Sequence, residues 1–449
     1  MDEFDDADVS WIGRTFTSDV GWQLLEELVA IPDRMAGTTG ERVALEHTRD
    51  ALDTAGVRDA RIEPFDVQGW QRGDSRLLAD DGEIRPRRDQ IALPRSPEGS
   101  VTGELLDLDH GLPSDFEERS GEIDGSVVMV STTVPDDYDR FIHRREKYYY
   151  AVEHGATAFL FANHVDGGLP PTGSVGSDES PIGEIPAMGV SKELGAQLSR
   201  ERVGESITVE VDAEIAPAES GNVVAEIGPE SDEEVVVSSH VDAHDIAEGA
   251  MDNGAGTATV VEVARALVDR EDELDTRVRF RCFGAEEVGL VGSSLTADGT
   301  DLDAIRAIVN VDSNVAARTV KLDYHGFDEL QAAAEAVADR FDHPVRVDGS
   351  PVPHSDHWPF VREGVPGYMV SGATEGRDRG WGHTHADTLD KLESRNLREQ
   401  AILLTELVVE LADGETEIAR RDRTEIAADL EADGAAAGMK VTGDWPFEE

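Results

Sequence analysis

Three apolar runs in this chain lead directly into histidine or carboxylate residues, and that pattern limits the fold more than any other feature. Residues 234–239 end at His240, residues 307–311 end at Asp312, and residues 278–283 pass through Gly284-Ala285 into Glu286-Glu287. A short continuous apolar run bounded by polar or turn residues reads as a buried strand. Between the first and second runs, residues 255–268 place Val260, Val263, Ala264 and Leu267 along one helical face. Strands alternating with helices predict an α/β fold whose central sheet is mixed but mostly parallel, with helices flanking it. Such sheets gather ligands in the crevice beyond the carboxyl ends of their strands. The acidic and histidine residues fall at those ends.

Each of these segments also has a plainer reading. In His240-Val-Asp242 the carboxylate is positioned to orient the imidazole and make it a better ligand, but His-x-Asp recurs in many chains. Within Gly249-Ala-Met-Asp252-Asn-Gly254, Asp252 equally serves as a helix cap. Glu286-Glu287 means little by itself among 95 acidic residues. Two such charges in one pocket need a cation or a proton. A ligand with a general base beside it meets that need. Asp312 emerges from a buried strand and needs a cation or several donors. The segment Trp381-Gly-His383-Thr-His385-Ala-Asp387-Thr388 offers a further histidine, with Asp387 and Thr388 fit to start a helix. His244 and Asp245 compete with His240-Val-Asp242 from further into the loop. Nitrogen and carboxylate oxygen together suit zinc, and cobalt or manganese can occupy the same donor set. Two ions sharing Asp252 would lie about 3.5–4 Å apart. One would take Asp252, Glu287 and His383, the other Asp252, His240 and Asp312, with Glu286 as base.

The rest of the chain sets the context. At 449 residues there is room for two or three domains. Residues 17–57 read as helical with a break at Pro32 and Gly37–Gly40, residues 61–67 as a strand, and 80–99 as a charged linker. Residues 102–108, 125–131, 158–161 and 207–211 are β-rich pieces around one helix, 138–155. We divide the chain into an N-terminal part (1–97) and a metal-binding part (216–413) of one main domain, an inserted β-rich domain between them (98–215), and an acidic extension (414–449) without an assigned role. His143, His154 and His164 read as scattered surface-loop residues.

The net charge is −55, and only five of the 40 basic residues are lysine. Acid is spread along the chain and not gathered in a tail, the pattern of a surface adapted to molar salt, where screening is short-ranged. A halophile's cytoplasm is the expected setting. Nucleic acid and anionic membrane are poor partners for such a surface. The start of the chain lacks a basic and apolar leader pattern, and no apolar run reaches the roughly 20 residues of a membrane span. The single cysteine, Cys282, lies in an apolar strand and reads as buried and inert.

The ordered set His-x-Asp, Gly-x-x-Asp-Asn-Gly-x-Gly, Ala-Glu-Glu-x-Gly, Asp and His-Thr-x-x-Asp-Thr resembles metallopeptidase family twenty-eight, from about Arg34 to Ala412. That family holds bacterial leucyl aminopeptidases, glutamate carboxypeptidases and the transferrin receptor. The inserted span looks like a protease-associated domain, with Ile185-Pro-Ala-Met-Gly-Val190 as a matching piece. The resemblance implies a two-zinc exopeptidase. Its metal ligands would be His240, Asp252, Glu287, Asp312 and His383, with Glu286 the general base and Asp242 the partner of His240. Its substrate would be a peptide, and it would be a monomer or homodimer. His354-Ser-Asp-His357 resembles a segment near the family's substrate pocket. Some relatives carry a tyrosine just before that segment or before the last ligand; Pro353 and Gly382 stand there in this chain. His354 is the candidate replacement donor, with His357 beside it.

An aminopeptidase is the leading expectation. A carboxypeptidase or dipeptidase with the same centre is the alternative, and Arg377 and Arg379 are candidates to hold a substrate carboxylate. A glutaminyl cyclase generally lacks the full ligand set, and receptor-like relatives have lost ligands and base. A second group of two-metal peptidases places its extra domain after the Glu-Glu pair, whereas here the insertion precedes His240.

Overall fold

The computed structural model describes residues 10–84, 86–176, 180–374, 380–414 and 416–447. Two eight-stranded sheets organise it. The first runs in the order Arg58–Arg72, Ala213–Ile227, Arg277–Phe283, Glu234–His240, Ile305–Val311, Gly367–Gly372, Val320–Asp323, Val345–Asp348. Its four central strands are parallel, and antiparallel pairings flank them on both sides. The expected mixed, mostly parallel α/β sheet is therefore present. Its middle strands are continuous apolar runs because helices cover both faces. The helix Ala255–Val268 packs against Val20–Val29, Thr39–Ala55 and Ser394–Leu411. One large core joins them, including Val235, Val237, Val260, Phe280, Val309 and Leu404. Cys282 lies within it, fully buried, with burial pushing its thiol up to about 12.

The second sheet is a separate body with an apolar cluster on each face. Its strands include Gly99–Asp107, Val127–Ser131, Ala158–Ala162, Ala187–Val190 and Ser206–Val211. Much of the stretch expected to be a linker belongs to it: Gly82–Glu83 and Gln90–Ala92 are edge strands, with Arg76–Ala79 pairing next to the first of them. The helix expected over 138–155 is shorter, Arg144–Glu153, and starts where His143 caps it by accepting from the Arg145 amide at 3.3 Å. The C-terminal extension folds into two helices, Arg423–Asp433 and Ala435–Thr442. Among the described residues no helix is long and apolar enough to cross a membrane.

Candidate metal centre

Strand register brings the sequence-separated acids and histidines to one end of the first sheet. His240 lies opposite Phe283 in the parallel pairing, so the turn after Phe283 delivers Glu286 and Glu287 beside it. Asp312 follows directly on Val311, one strand further along. Asp252 sits between these, in the turn that enters Ala255–Val268, and its two oxygens face different ways. Oδ1 is 3.2 Å from His240 Nε2 and Oδ2 is 3.2 Å from His383 Nε2. His240 Nε2 also lies 3.7 Å from Asp312 Oδ1 and 3.9 Å from Glu286 Oε2. His383 Nε2 is 3.4 Å from Glu287 Oε2. Two clusters result, one around His240, Glu286 and Asp312, the other around His244, Glu287 and His383.

The surroundings of these side chains fit cations. His240 Nε2, both ring nitrogens of His244, and Glu287 Oε1 are buried without a hydrogen-bond partner. His244 Nε2 approaches Glu287 Oε2 to 2.8 Å yet is out of line for a hydrogen bond. A buried polar atom left unmatched costs about 1–3 kcal/mol, and more when charged, so this concentration calls for a ligand. Burial is the main force lifting the Glu287 carboxyl to about 8, and it also lifts Glu286 well above its ordinary range. Without a cation, the cluster would have to take up protons.

Two buried aspartates hold the ligand-bearing turns by their backbones. Asp242 accepts from the Glu286 amide at 3.0 Å and from the Glu287 amide at 3.1 Å. Asp387 accepts from the amides of Met251 at 2.7 Å and Asp252 at 3.1 Å. Asp242 also stands beside His240, as expected of it. It is the Asp242 carbonyl oxygen that meets His240 Nδ1 at 3.0 Å, while the nearest carboxylate oxygen stays 3.6 Å away. After Asp387 only a short 3-10 turn follows, Leu389–Lys391 between Thr388 and Leu392, and the next long helix begins at Ser394. Asp312 is steadied by the Ser355 hydroxyl at 2.8 Å. His244, the competing candidate from further into the loop, joins His240 at the site instead of replacing it, grouped with Glu287 and His383. His385 instead meets the Ile246 carbonyl oxygen.

The centre forms the floor of a cavity of about 340 Å³. Both bodies supply its walls: His354, Met369 and Leu290 from the first, and Phe141, His143 and Arg144 from the second. His143 is thus no surface-loop residue, for it stacks on His354 with ring centroids 5.0 Å apart. His357 does not reach the cavity lining. It is fully buried, bonded to the Val352 carbonyl oxygen and stacked on His325 at 4.7 Å. Arg377 and Arg379 lie outside the described residues. The inserted body is tied to the centre by the Thr172 amide, which donates to the His383 carbonyl at 2.8 Å.

Residues 222–408 match the model of Peptidase family M28, and residues 101–198 match that of the PA domain. The M28 match spans the body that carries the centre and the PA match the inserted body, so the chain is similar to an M28 peptidase core with a PA domain set into it. Aminopeptidase YwaD of Bacillus subtilis is 25% identical over 85% of this chain and 82% of its own. Carboxypeptidase Q of Bos taurus is 24% identical over 86% of this chain and 84% of its own. A probable lipoprotein aminopeptidase of Mycobacterium tuberculosis, LpqL, is 28% identical over 61% of this chain, which spans only 53% of that protein. Among solved structures, a Shewanella amazonensis M28 peptidase precursor superposes with a TM-score of 0.74 at 22% identity, covering 91% of this chain and 96% of its own. A zinc aminopeptidase from Bacillus subtilis gives 0.71 at 22% identity, covering 90% and 97%. The matched segment contains every residue of the centre, and by its likeness to these relatives the chain is a metallo-exopeptidase.

Proposed function

We propose that the protein is a two-zinc exopeptidase that removes the amino-terminal residue of peptides. The observation that carries this reading is Asp252, whose two oxygens separate toward His240 and His383 as a bridging carboxylate would. His240 and Asp312 would complete one site, and Glu287 and His383 the other, with His244 close enough to Glu287 to adjust it. Zinc ions held there would polarise the scissile carbonyl and bring the pKa of a water to about 7. Glu286 reaches into the cavity without a place in the bridging set. Its Oε2 takes the proton from the attacking water and passes it to the departing amine. Asp242 fixes where that carboxylate stands by holding the Glu286 amide. His354 faces the same cavity and is the candidate donor to the developing oxyanion.

One observation favours a second reading, cleavage beside a free carboxylate. Arg144 lines the cavity and donates to the Ser174 carbonyl at 3.0 Å, and among the described residues no carboxylate pairs with it. An unpaired guanidinium suits a substrate carboxylate, as a dipeptidase or carboxypeptidase needs. Hydrolysis of free-amine and N-blocked peptides, assayed in high salt with zinc, separates the readings. Cleavage of free-amine substrates alone, lost in Glu286→Gln, is the expected result. Cleavage of N-blocked peptides from the carboxyl end would transfer the assignment to a carboxypeptidase. Failure on both with zinc bound would defeat the exopeptidase reading.

A further inference from the structure

The C-terminal helix Ala435–Thr442 lies beyond both family matches, yet it walls the cavity above the metal centre. Ala435, Gly438, Met439, Thr442 and Asp444 face the same space as Asp252, Glu286, Glu287, Asp312 and His383. We infer that this segment closes the outer end of the cleft and restricts the enzyme to very short peptides. The inference rests on the exopeptidase reading and adds the length of substrate to it.

The segment is fastened to both bodies. Met439 is buried in the large core of the peptidase body, whereas Val441 packs on the cluster of the inserted body. Ala435–Thr442 lies along Arg144–Glu153, the helix that supplies Arg144 and Arg145 to the cavity. A two-pronged ion pair locks this seam: Arg145 Nη1 and Nη2 reach the Asp444 carboxylate at 2.6 and 3.1 Å. Planar guanidinium–carboxylate forks are geometrically specific as well as strong. A second pair, Arg140 to Glu146, lies beneath Gly438. There the helix approaches so closely that a Cβ on Gly438 would stand 2.3 Å from Glu146 Oε2. A side chain at Gly438 would have to displace the Glu146 carboxylate.

Size then sets the limit. The cavity of about 340 Å³ is small beside a long peptide, and two residues of extended chain already span about 7 Å. An octapeptide spans about 27 Å and needs an open end that this segment blocks. A cleft left open at that side would accept either length.

The test compares kcat/KM for a dipeptide and for an octapeptide with the same amino-terminal residues, using the full zinc-loaded chain. The wild type should favour the dipeptide by at least about 30-fold. The double variant Arg145→Ala/Asp444→Ala cuts the fork, and Gly438→Leu independently wedges the helix off Glu146. Each should raise the octapeptide-to-dipeptide ratio by about tenfold or more. Equal cleavage of both lengths by the wild type would overturn the wall and leave the exopeptidase reading intact. A ratio unmoved in both loosened variants would overturn it too. If the wild type cleaves neither length, the exopeptidase reading falls, and this inference with it.

Discussion

In the inserted body, the buried ammonium of Lys147 donates to the carbonyl oxygens of His110, Ser131 and Thr133 at 2.7, 2.8 and 2.8 Å. In the peptidase body, His240 Nε2 is buried among the carboxylates of Asp252, Asp312 and Glu286 and forms no hydrogen bond at all. Both side chains are withdrawn from water, and burying an unmatched charge is expensive. The inserted body resolves that cost within itself, which marks Lys147 as a structural group. The peptidase body leaves it unresolved at the metal centre, where several such groups converge from separate strands. Burial of polar side chains is common to both bodies. Incomplete satisfaction of a cluster, at the carboxyl ends of parallel strands, is what separates a site from a core.

The strongest way to break this contrast is to remove the shared carboxylate. Asp252→Ala should take zinc content from two ions per chain toward none and bring hydrolysis to background. Metal analysis of the dialysed protein together with a peptide assay checks both. If one tightly held ion remains with normal activity, Asp252 does not bridge. A smaller loss is expected from Asp242→Asn, which keeps the side-chain shape but turns one acceptor into a donor facing the Glu286 or Glu287 amide. Changes to groups that orient ligands typically cost about 10–100-fold in activity or metal affinity. The loss should appear in kcat with a nearly unchanged melting temperature, because the protein's main core lies elsewhere.

How much of this was legible in sequence follows from the range of each interaction. His240, Asp312 and the Glu286-Glu287 pair announce themselves because the strands before them are apolar runs, and such runs need no partner to be recognised. The exposed first half of the strand Ala213–Ile227 carries no such signal, since it only pairs with Arg58–Arg72 away from the core. Asp242 and Asp387 read as local groups because their neighbours in sequence suit such roles. Both also accept from amides 44 and 135 positions away, which no local pattern exposes. His143 reads like any loop histidine because the ring it stacks on, His354, is far off in sequence. The extension after residue 413 has weak helical periodicity and gains its meaning only from Arg145, 299 positions from Asp444.

Lys147→Met tests the satisfied half of the contrast. It leaves three carbonyl oxygens without their donor while removing a charge whose burial is itself unfavourable. The net destabilisation should be on the order of 1–3 kcal/mol, read from urea unfolding, with zinc content and dipeptide hydrolysis per folded molecule unchanged. A variant that loses metal as well would show that the inserted body's interior is coupled to the centre.

The smallest effect belongs to charge that is neither buried without a partner nor sealed from solvent. Burial alone would raise the Glu399 carboxyl, but hydrogen bonds from Arg318, Arg395 and His343 outweigh it and bring the group down to about 2. A carboxyl with a folded-state pKa below its unfolded value of about 4.5 stabilises the fold at higher pH. That contribution is complete above about 4.5 and is lost as the pH falls toward 2. Arg318 and Arg395 are 54% and 65% exposed, so solvent screens the pairs and about 0.3–1 kcal/mol is the expected size. Glu399→Gln should therefore lower stability at pH 7 by that amount, and the difference from the wild type should vanish near pH 2. Molar salt should shrink it at every pH, since the screening length falls to about 3 Å. The Asp252 variant should show no such rescue, because salt cannot replace an ion held between buried carboxylates. A Glu399→Gln deficit that persists undiminished in molar salt would mean this cluster is shielded like the interior, and the distinction between surface and buried charge would have to be redrawn there.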